Sequence, residues 1–502
     1  MAMQNRTTTT CAAWRNFIYG LFAVTALCAL GEPVDYVNPF VGTAARGDTY
    51  PGPVWPLGMV QPGPDTGDRY WSCCQGYNFA HNTVMGFSQT HLSGTGCPDF
   101  QDVALLPFTG DVSAEVEAYK KWALVECKKA FANKKGVPRK AVIRGRMDKR
   151  TETAEPGYYA VTLTNWGVRA ELTCSPRVAY HRYTFERGRD AHIYVNLQSG
   201  PQGWWKNPPP DRISEHRSAW DVENGLLSGY SCITAWAVDA SLADRGPVYD
   251  KCGYFPWDIH PRSVAVTLEW CLDDWCAARL AQKLGKSDRA AFYSRRADYW
   301  KNLFDPWTGY MRGKDAKGNW HEPFNPYRQR PAPGQVHDYV EGSAIQYTFH
   351  VMQDPEGLIA AFGGQKPFYR ALDAFFTLPS KMPGQNTTGE CTGTIGQYAH
   401  GNEPSHHVAY FFPYVGRGDR TAEIVREVCD KYYLNKPNGL VGNDDCGQMS
   451  AWFVFACLGF YSFNPCGGEY VVGPSHRHRL RLQTRPEAQM AFFRSHRCYC
   501  LL

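Results

Sequence analysis

Tyr158-Tyr159-Ala160-Val161-Thr162-Leu163 and Val168-Arg169-Ala170-Glu171-Leu172, joined across Asn165-Trp166-Gly167, alternate between apolar and polar side chains. Strand side chains point to opposite faces with a period of two, so the spacing predicts antiparallel strands with one wet face. Residues 181–185 and 192–197 continue the pattern, as in a β-sandwich. Beyond residue 260 the period changes. Val264-Ala265-Val266-Thr267-Leu268 begins a run that carries apolar residues at helical spacing to Leu284 and stops at Gly285. Segments 289–303, 341–352, 355–362, 366–376, 403–414, 420–433 and 447–460 bring the predicted helices to eight. Strands first and helices second give an α+β multidomain chain: a sandwich domain over 35–235 and a helical domain over 259–473.

The composition sets wide limits around this plan. The chain has 502 residues, 43% of them hydrophobic, enough for about two or three domains and too apolar for global disorder. Aromatic residues reach 14%, with 16 Trp, which favours ring-lined clefts. The net charge of +5 is local: 476–502 holds six Arg and Glu487 alone as an acid, and the rest of the chain balances. A second basic cluster, twelve Lys and Arg over 120–150 against Glu126 and Asp148, reads as a solvated insertion between strands. A neutral body argues against nucleic acid as a partner. The 18 Cys are scattered, without a paired CxxC layout for metal.

Residues 1–16 are polar with Arg6 and Arg15, 17–30 are almost wholly apolar, and Gly31-Glu32-Pro33 follows. This is the layout of a signal peptide over 1–31, with a secreted or periplasmic product. The alternative is an N-terminal hydrophobic strand. No later stretch is long and apolar enough to span a membrane, so no membrane span is expected in the mature chain.

Three boxes in the helical half carry chemistry. Glu341 stands three residues after Asp338 at a helix start, where a carboxylate either caps the helix or acts as an acid. Gln397, Asn402, Glu403, His400 and His406 crowd a second loop; its oxygen donors suit a hard cation such as Ca2+ better than zinc, and capping with core histidines is the alternative. Asn443-Asp444-Asp445 precede a third helix with Gln448, more acids than a cap needs. In the N-terminal half, the loops around Trp71 and His91 pair an aromatic or imidazole ring with small polar residues, a pattern that suits a sugar.

Together with residues 35–43, 49–52, 56–61, 86–96, 156–159, 177–185, 268–276, 302–312 and 442–461, these boxes resemble glycoside hydrolase family 92, the calcium-dependent exo-acting α-mannosidases. The resemblance covers roughly 35–110, 150–200 and 259–473. It implies a β-sandwich packed on an (α/α)6-type barrel with the cleft between them, and an inverting mechanism. It implies Glu341 as the general acid and Asp445, with Asp444 beside it, as the base. Within the matching boxes, Trp71, His91, Gln346 and His406 are the expected sugar contacts, and Gln397, Asn402, Glu403, Asn443 and Asp445, chosen by their oxygen-donor chemistry, the expected calcium ligands. The substrate is then a mannose-containing oligosaccharide or glycoprotein glycan, with α-1,2 linkages favoured.

Two departures accompany the match. The family's Trp-Asp-Thr-Phe-Arg and Gly-Asn boxes between the sandwich and residue 268 are not found, and eight helices fall short of twelve, so an incomplete barrel is expected. The segment 474–502 reads as an atypical basic tail. A mis-joined reading frame or a natural shortening accounts for both. The alternative function is therefore a truncated, non-catalytic mannose-binding remnant of the same family.

Overall fold

A computed structural model describes residues 33–473 except 57, 67–72, 97–99, 114–116, 118–142, 197–212, 222–225, 234–245, 332, 333 and 335. The expected signal peptide, the basic tail, most of the 120–150 cluster and Trp71 lie outside the described residues.

The N-terminal half builds two antiparallel sheets from β1 (Gly63–Asp65), β2 (Thr83–Val84), β3 (Gly86–Ser88), β4 (Ala104–Thr109), β5 (Gly145–Glu155), β6 (Tyr158–Leu163), β7 (Val168–Cys174), β8 (Ala179–Phe185) and β9 (Ala191–Asn196). One sheet runs β1-β3-β4-β9 and the other β2-β5-β6-β7-β8. Strand β7 shows why they pack: Val168, Ala170 and Leu172 are buried, while Arg169 and Glu171 alternate outward. Phe87 and Leu106 from the first sheet share one core with Val84, Met147, Val161 and Leu163 from the second. A further hairpin, β10 (Ile213–Asp221) with β11 (Leu226–Ile233), occupies a region that the alternation did not mark.

The helical half contains, among the described residues, α1 (Gly246–Cys252), α2 (Ser263–Lys283), α3 (Ser287–Ala297), α4 (Ala344–Tyr347), α5 (Pro355–Ala361), α6 (Gln365–Thr377), α7 (Gly418–Tyr432) and α8 (Gln448–Leu458). Period decides what each buries. On α6, Phe368, Leu372, Phe375 and Phe376 face inward; on α7, Thr421, Ile424, Val425, Val428 and Cys429 do. With Trp300, Phe349, Tyr398, Phe411 and Trp452 the hydrophobic ones form one continuous core.

Three helices differ from expectation. α1 was not foreseen. The segment expected as a helix over 341–352 is regular only through the single turn α4. The helix expected over 403–414 is instead two 3-10 pieces, Glu403–Ser405 and Val408–Val415. Pro404 and Pro413 are the reason: neither can donate an amide hydrogen, and an interior proline clashes with the preceding turn of an α-helix.

Candidate functional site

The two halves meet where loops from each cross. The Asp444 amide donates to the Gly47 carbonyl at 3.0 Å, that of Asp445 to Gly94 at 3.0 Å, and that of Cys446 to Ser93 at 2.9 Å. Gly94 in turn donates to the Asp48 carbonyl at 2.7 Å. The third box of the helical half is thus strapped backbone to backbone onto two loops of the sheet domain.

The adjacent acids Asp444 and Asp445 take different parts. Asp444 is buried, and its carboxylate accepts from the Ser450 amide at 3.0 Å and the Ser450 hydroxyl at 2.7 Å, capping the first turn of α8. Burial raises its carboxyl, and the Ser450 hydrogen bonds work against that rise. Asp445 and Cys446 follow with left-handed backbone, φ 43° and 56°. This turn separates the Asp445 carboxyl from that of its neighbour and brings it against Glu403. Both members of the Glu403–Asp445 pair are pushed up, mainly by burial, and Glu403 is pushed further by repulsion from Asp445. Glu403 Oε1 is buried without a hydrogen-bond partner.

Glu341 also sits on left-handed backbone, φ 49°. It does not cap the helix that follows. That task falls to Ser343 and Gln346, which form a capping box at the start of α4. Glu341 is held instead through its carbonyl, which accepts from Asn402 Nδ2 at 2.9 Å and Cys391 Sγ at 3.2 Å. Burial raises its carboxyl; repulsion from Glu390 and then Asp445 adds to this, and Arg262 opposes it. A carboxyl in such surroundings keeps its proton to higher pH.

Several residues expected to touch sugar or metal have their polar atoms taken up elsewhere. His91 is buried, stacked on Tyr50 at 4.4 Å, with Nδ1 on the Gln61 carbonyl at 2.8 Å and Nε2 3.3 Å from Asp65; it braces the sheet loops. Gln346 is buried, and its amide reaches Ser343 and the Gln397 carbonyl, so it supports the loop behind Glu341. Gln397 donates to the Pro379 carbonyl and accepts from Gln385 Nε2 at 3.2 Å. His406 is buried; its Nε2 is 2.9 Å from the His400 carbonyl and its Nδ1 3.3 Å from Gln448 Nε2. The carbonyl only accepts, so Nε2 carries the proton and Nδ1 receives one from the exposed Gln448 amide. With its amide turned to satisfy its neighbours, Asn443 donates to Asp48 at 3.2 Å and the Arg46 carbonyl at 3.0 Å and accepts from Gly96 at 3.0 Å. It is a tie between domains.

Asp48 is the residue that sequence reasoning missed. It is buried on left-handed backbone, and burial together with repulsion from Asp445 raises its carboxyl to about 7 against the pull of Arg46. The available signal was an acid inside a Gly/Thr/Pro loop with no helix to cap.

Among the described residues, no group of three or more His, Cys, Asp or Glu side chains is arranged to hold a metal ion. A cation here would therefore need an amide oxygen as well as carboxylates. The unpartnered Glu403 oxygen beside the Asp445 carboxylate fits a hard divalent ion, and Asn402, next to Glu403 in the chain, carries an amide oxygen of the required kind. No helix among the described residues is long and apolar enough to cross a membrane.

Comparison with known proteins bears on this geometry. The chain matches the glycosyl hydrolase family 92 N-terminal domain over residues 36–255 and the catalytic domain over 219–494. Those spans take in 219–258 and part of the basic tail, which lie outside the sequence boxes that carry the resemblance. The structure is similar to that of a family GH92 α-mannosidase from Bacteroides thetaiotaomicron in complex with mannoimidazole, with 26% identity, a TM-score of 0.67, and 88% of this chain and 86% of that one covered. The structure of that enzyme described without mannoimidazole gives 25% identity and a TM-score of 0.69 over 89% and 87%. A family GH92 inverting mannosidase from the same organism, 20% identical with a TM-score of 0.62 over 89% of each chain, shares the fold. An uncharacterized secreted glycosidase of Arthroderma benhamiae is 26% identical over 270 residues, 47% of this chain. The chain spans 32% of the length of that curated relative. The two domain matches together run through both halves of the molecule, and on that ground the chain belongs to glycosyl hydrolase family 92.

Proposed function

We propose that the protein is an exported, inverting exo-α-mannosidase that removes mannose, α-1,2-linked above all, from oligosaccharides or glycoprotein glycans. The observation that carries this reading is a pair of carboxyls on separate loops, Glu341 and Asp445, near enough for Asp445 to raise Glu341, where sheet and helical domains cross. Glu341, kept protonated, gives its proton to the glycosidic oxygen as the bond from that oxygen to the anomeric carbon breaks. Asp445 takes a proton from the water whose oxygen attacks that carbon from the opposite face. Inversion needs the two carboxyls about 6.5–9.5 Å apart so that this water fits between them. Asp444, fixed by Ser450, sets the turn that aims Asp445. Asn402, Glu403 and Asp445 would hold a calcium ion, which when bound keeps the crowded carboxylates ionised and grips sugar hydroxyls.

The test is Glu341→Gln assayed on an α-mannobioside and on an aryl α-mannoside with a good leaving group. The disaccharide rate should fall about 100- to 10,000-fold, and the activated substrate should be largely spared because its leaving group needs no proton. Equal losses on both would remove Glu341 from the acid role. A wild-type chain that binds mannose and hydrolyses neither substrate would establish the non-catalytic reading.

A further inference from the structure

Cys391-Thr392 lies outside the three boxes of the helical half, yet it touches all of them. The half-buried Cys391 thiol donates to the Glu341 carbonyl at 3.2 Å and receives the Gln346 amide at 3.7 Å. The Thr392 carbonyl accepts from the Gly401 amide at 3.0 Å, immediately before Asn402. The Thr392 hydroxyl donates to the Val441 carbonyl at 2.6 Å, at the entry to the loop that carries Asp445. Beside it the backbones of the second and third boxes run in contact: a Cβ added to Gly442 would come within 2.6 Å of Gly401 Cα. The bridge is itself fixed. Arg46 of the sheet domain donates to the Gly389 carbonyl at 2.6 Å, and the Thr388 amide donates to Gln329 Oε1 at 3.0 Å. Burial pushes the Cys391 thiol up, so at neutral pH the sulfur keeps the hydrogen that it donates.

We propose that Cys391 and Thr392 are positioning residues that set the separation between Glu341 and Asp445, an inference that rests on the acid and base roles given above. Glu341 needs a hold from outside its own loop. Its left-handed backbone, φ 49°, is strained for a residue with a side chain and persists only where the surroundings fix it. Cys391, with Asn402, supplies that hold at the Glu341 carbonyl. Thr392, the next residue, fixes the start of the loop that turns at Asp445. An inverting pair must keep its carboxyls about 6.5–9.5 Å apart to admit one water. Neighbouring Cα atoms stand about 3.8 Å apart, so a bridge of two adjacent residues leaves little slack. The thiol is a weak donor, and its loss should misplace the acid rather than unfold the domain.

Cys391→Ala, Cys391→Ser, Thr392→Val and Thr392→Ser are made in the full chain. They are assayed beside Glu341→Gln on an α-mannobioside and on an aryl α-mannoside with a good leaving group. Cys391→Ala should lower kcat on the disaccharide about 3- to 10-fold and spare the aryl substrate, because Cys391 holds the proton donor alone. Thr392→Val should slow both substrates alike, about 5- to 10-fold, because either leaving group needs the activated water. Both serine variants keep a donor and should recover most of each loss. A merely structural role predicts the same pattern on both substrates from either position. Equal losses for Cys391→Ala, a loss confined to the disaccharide for Thr392→Val, undiminished rates, or serine variants no faster than alanine and valine would each overturn the proposal. The two positions are independent tests, so a variant that fails to fold at one leaves the other to decide. A disaccharide-selective loss for Glu341→Gln with none for Cys391→Ala overturns this proposal alone. Equal losses for Glu341→Gln overturn the acid role and this proposal with it.

Discussion

Replacing Gly94 by alanine probes the crossing of the two domains at its tightest point. Gly94 has φ +86°, and a Cβ there would stand 2.6 Å from the Asp445 amide nitrogen, 2.7 Å from Asp444 Cβ and 2.8 Å from the Asp444 carbonyl carbon. Ordinary contact begins at 3.4 Å, so one backbone must retreat by about 0.8 Å. No flexible side-chain tip can absorb the overlap, because the nearest atoms belong to the loop that carries Asp445. Two costs follow. Left-handed alanine costs roughly 1–2 kcal/mol by itself. The retreat strains the two interdomain hydrogen bonds to Gly94 and Ser93, worth about 1 kcal/mol each. A misplacement near 1 Å can lower a rate by about 100-fold. Gly110→Ala is the control: φ is +83° there, and nothing lies within 4 Å of the added Cβ. The expected result is that both variants lose about 1–2 kcal/mol to backbone strain, while Gly94→Ala loses more stability and on the order of 10- to 100-fold in kcat. Chemical denaturation and steady-state turnover of an aryl α-mannoside measure the two effects. Equal stabilities and an undiminished kcat for Gly94→Ala would refute the placement of Asp445 against Gly94.

Three further expectations follow from the same contacts. Removing calcium with EGTA should silence turnover and lower the melting temperature, and added Ca2+ should restore both, because Glu403 and Asp445 otherwise crowd two carboxylates together; a melting curve indifferent to both additions would count against a bound ion. Burial holds His406 at about 4 and His407 at about 3, both below the unfolded value of 6.5, so their stabilisation is fully present above pH 6.5 and is lost as pH falls toward 4. Each histidine contributes on the order of 3 kcal/mol, and a denaturation free energy that stays flat from pH 7 to 4.5 would contradict their neutral burial. Trp452→Ala should cost about 3–5 kcal/mol, since the ring is buried, stacks parallel to Tyr433 and donates to the His406 carbonyl at 3.0 Å; a loss below about 1 kcal/mol in urea would show that this part of the core is loosely packed.

The sequence by itself determined what depends on neighbours along the chain. The alternation in residues 158–172 is a property of extended backbone: it holds in β7, while in β6 Ala160 is buried along with Tyr159, Val161 and Leu163. The helical period likewise placed α2, α6, α7 and α8, and the boxes around Glu341, Glu403 and Asp445 were visible because so much amide, carboxylate and imidazole chemistry exceeds what caps require. The prolines at 404 and 413 were visible too, and they account for the 3-10 turns that replaced a predicted helix. Only the tertiary structure decided how adjacent residues divide their work. Asp444 turned inward to cap α8 while Asp445 met Glu403, because a left-handed turn parts two side chains that are equivalent on paper. Gln346, Gln397, His91 and His406 became supports because burial obliges every polar atom to find a partner, and those partners lie far away in the chain. Asp48 joined Asp445 for the same reason: that contact exists only once sheet and helices dock, and no spacing within either segment encodes where the other will stand.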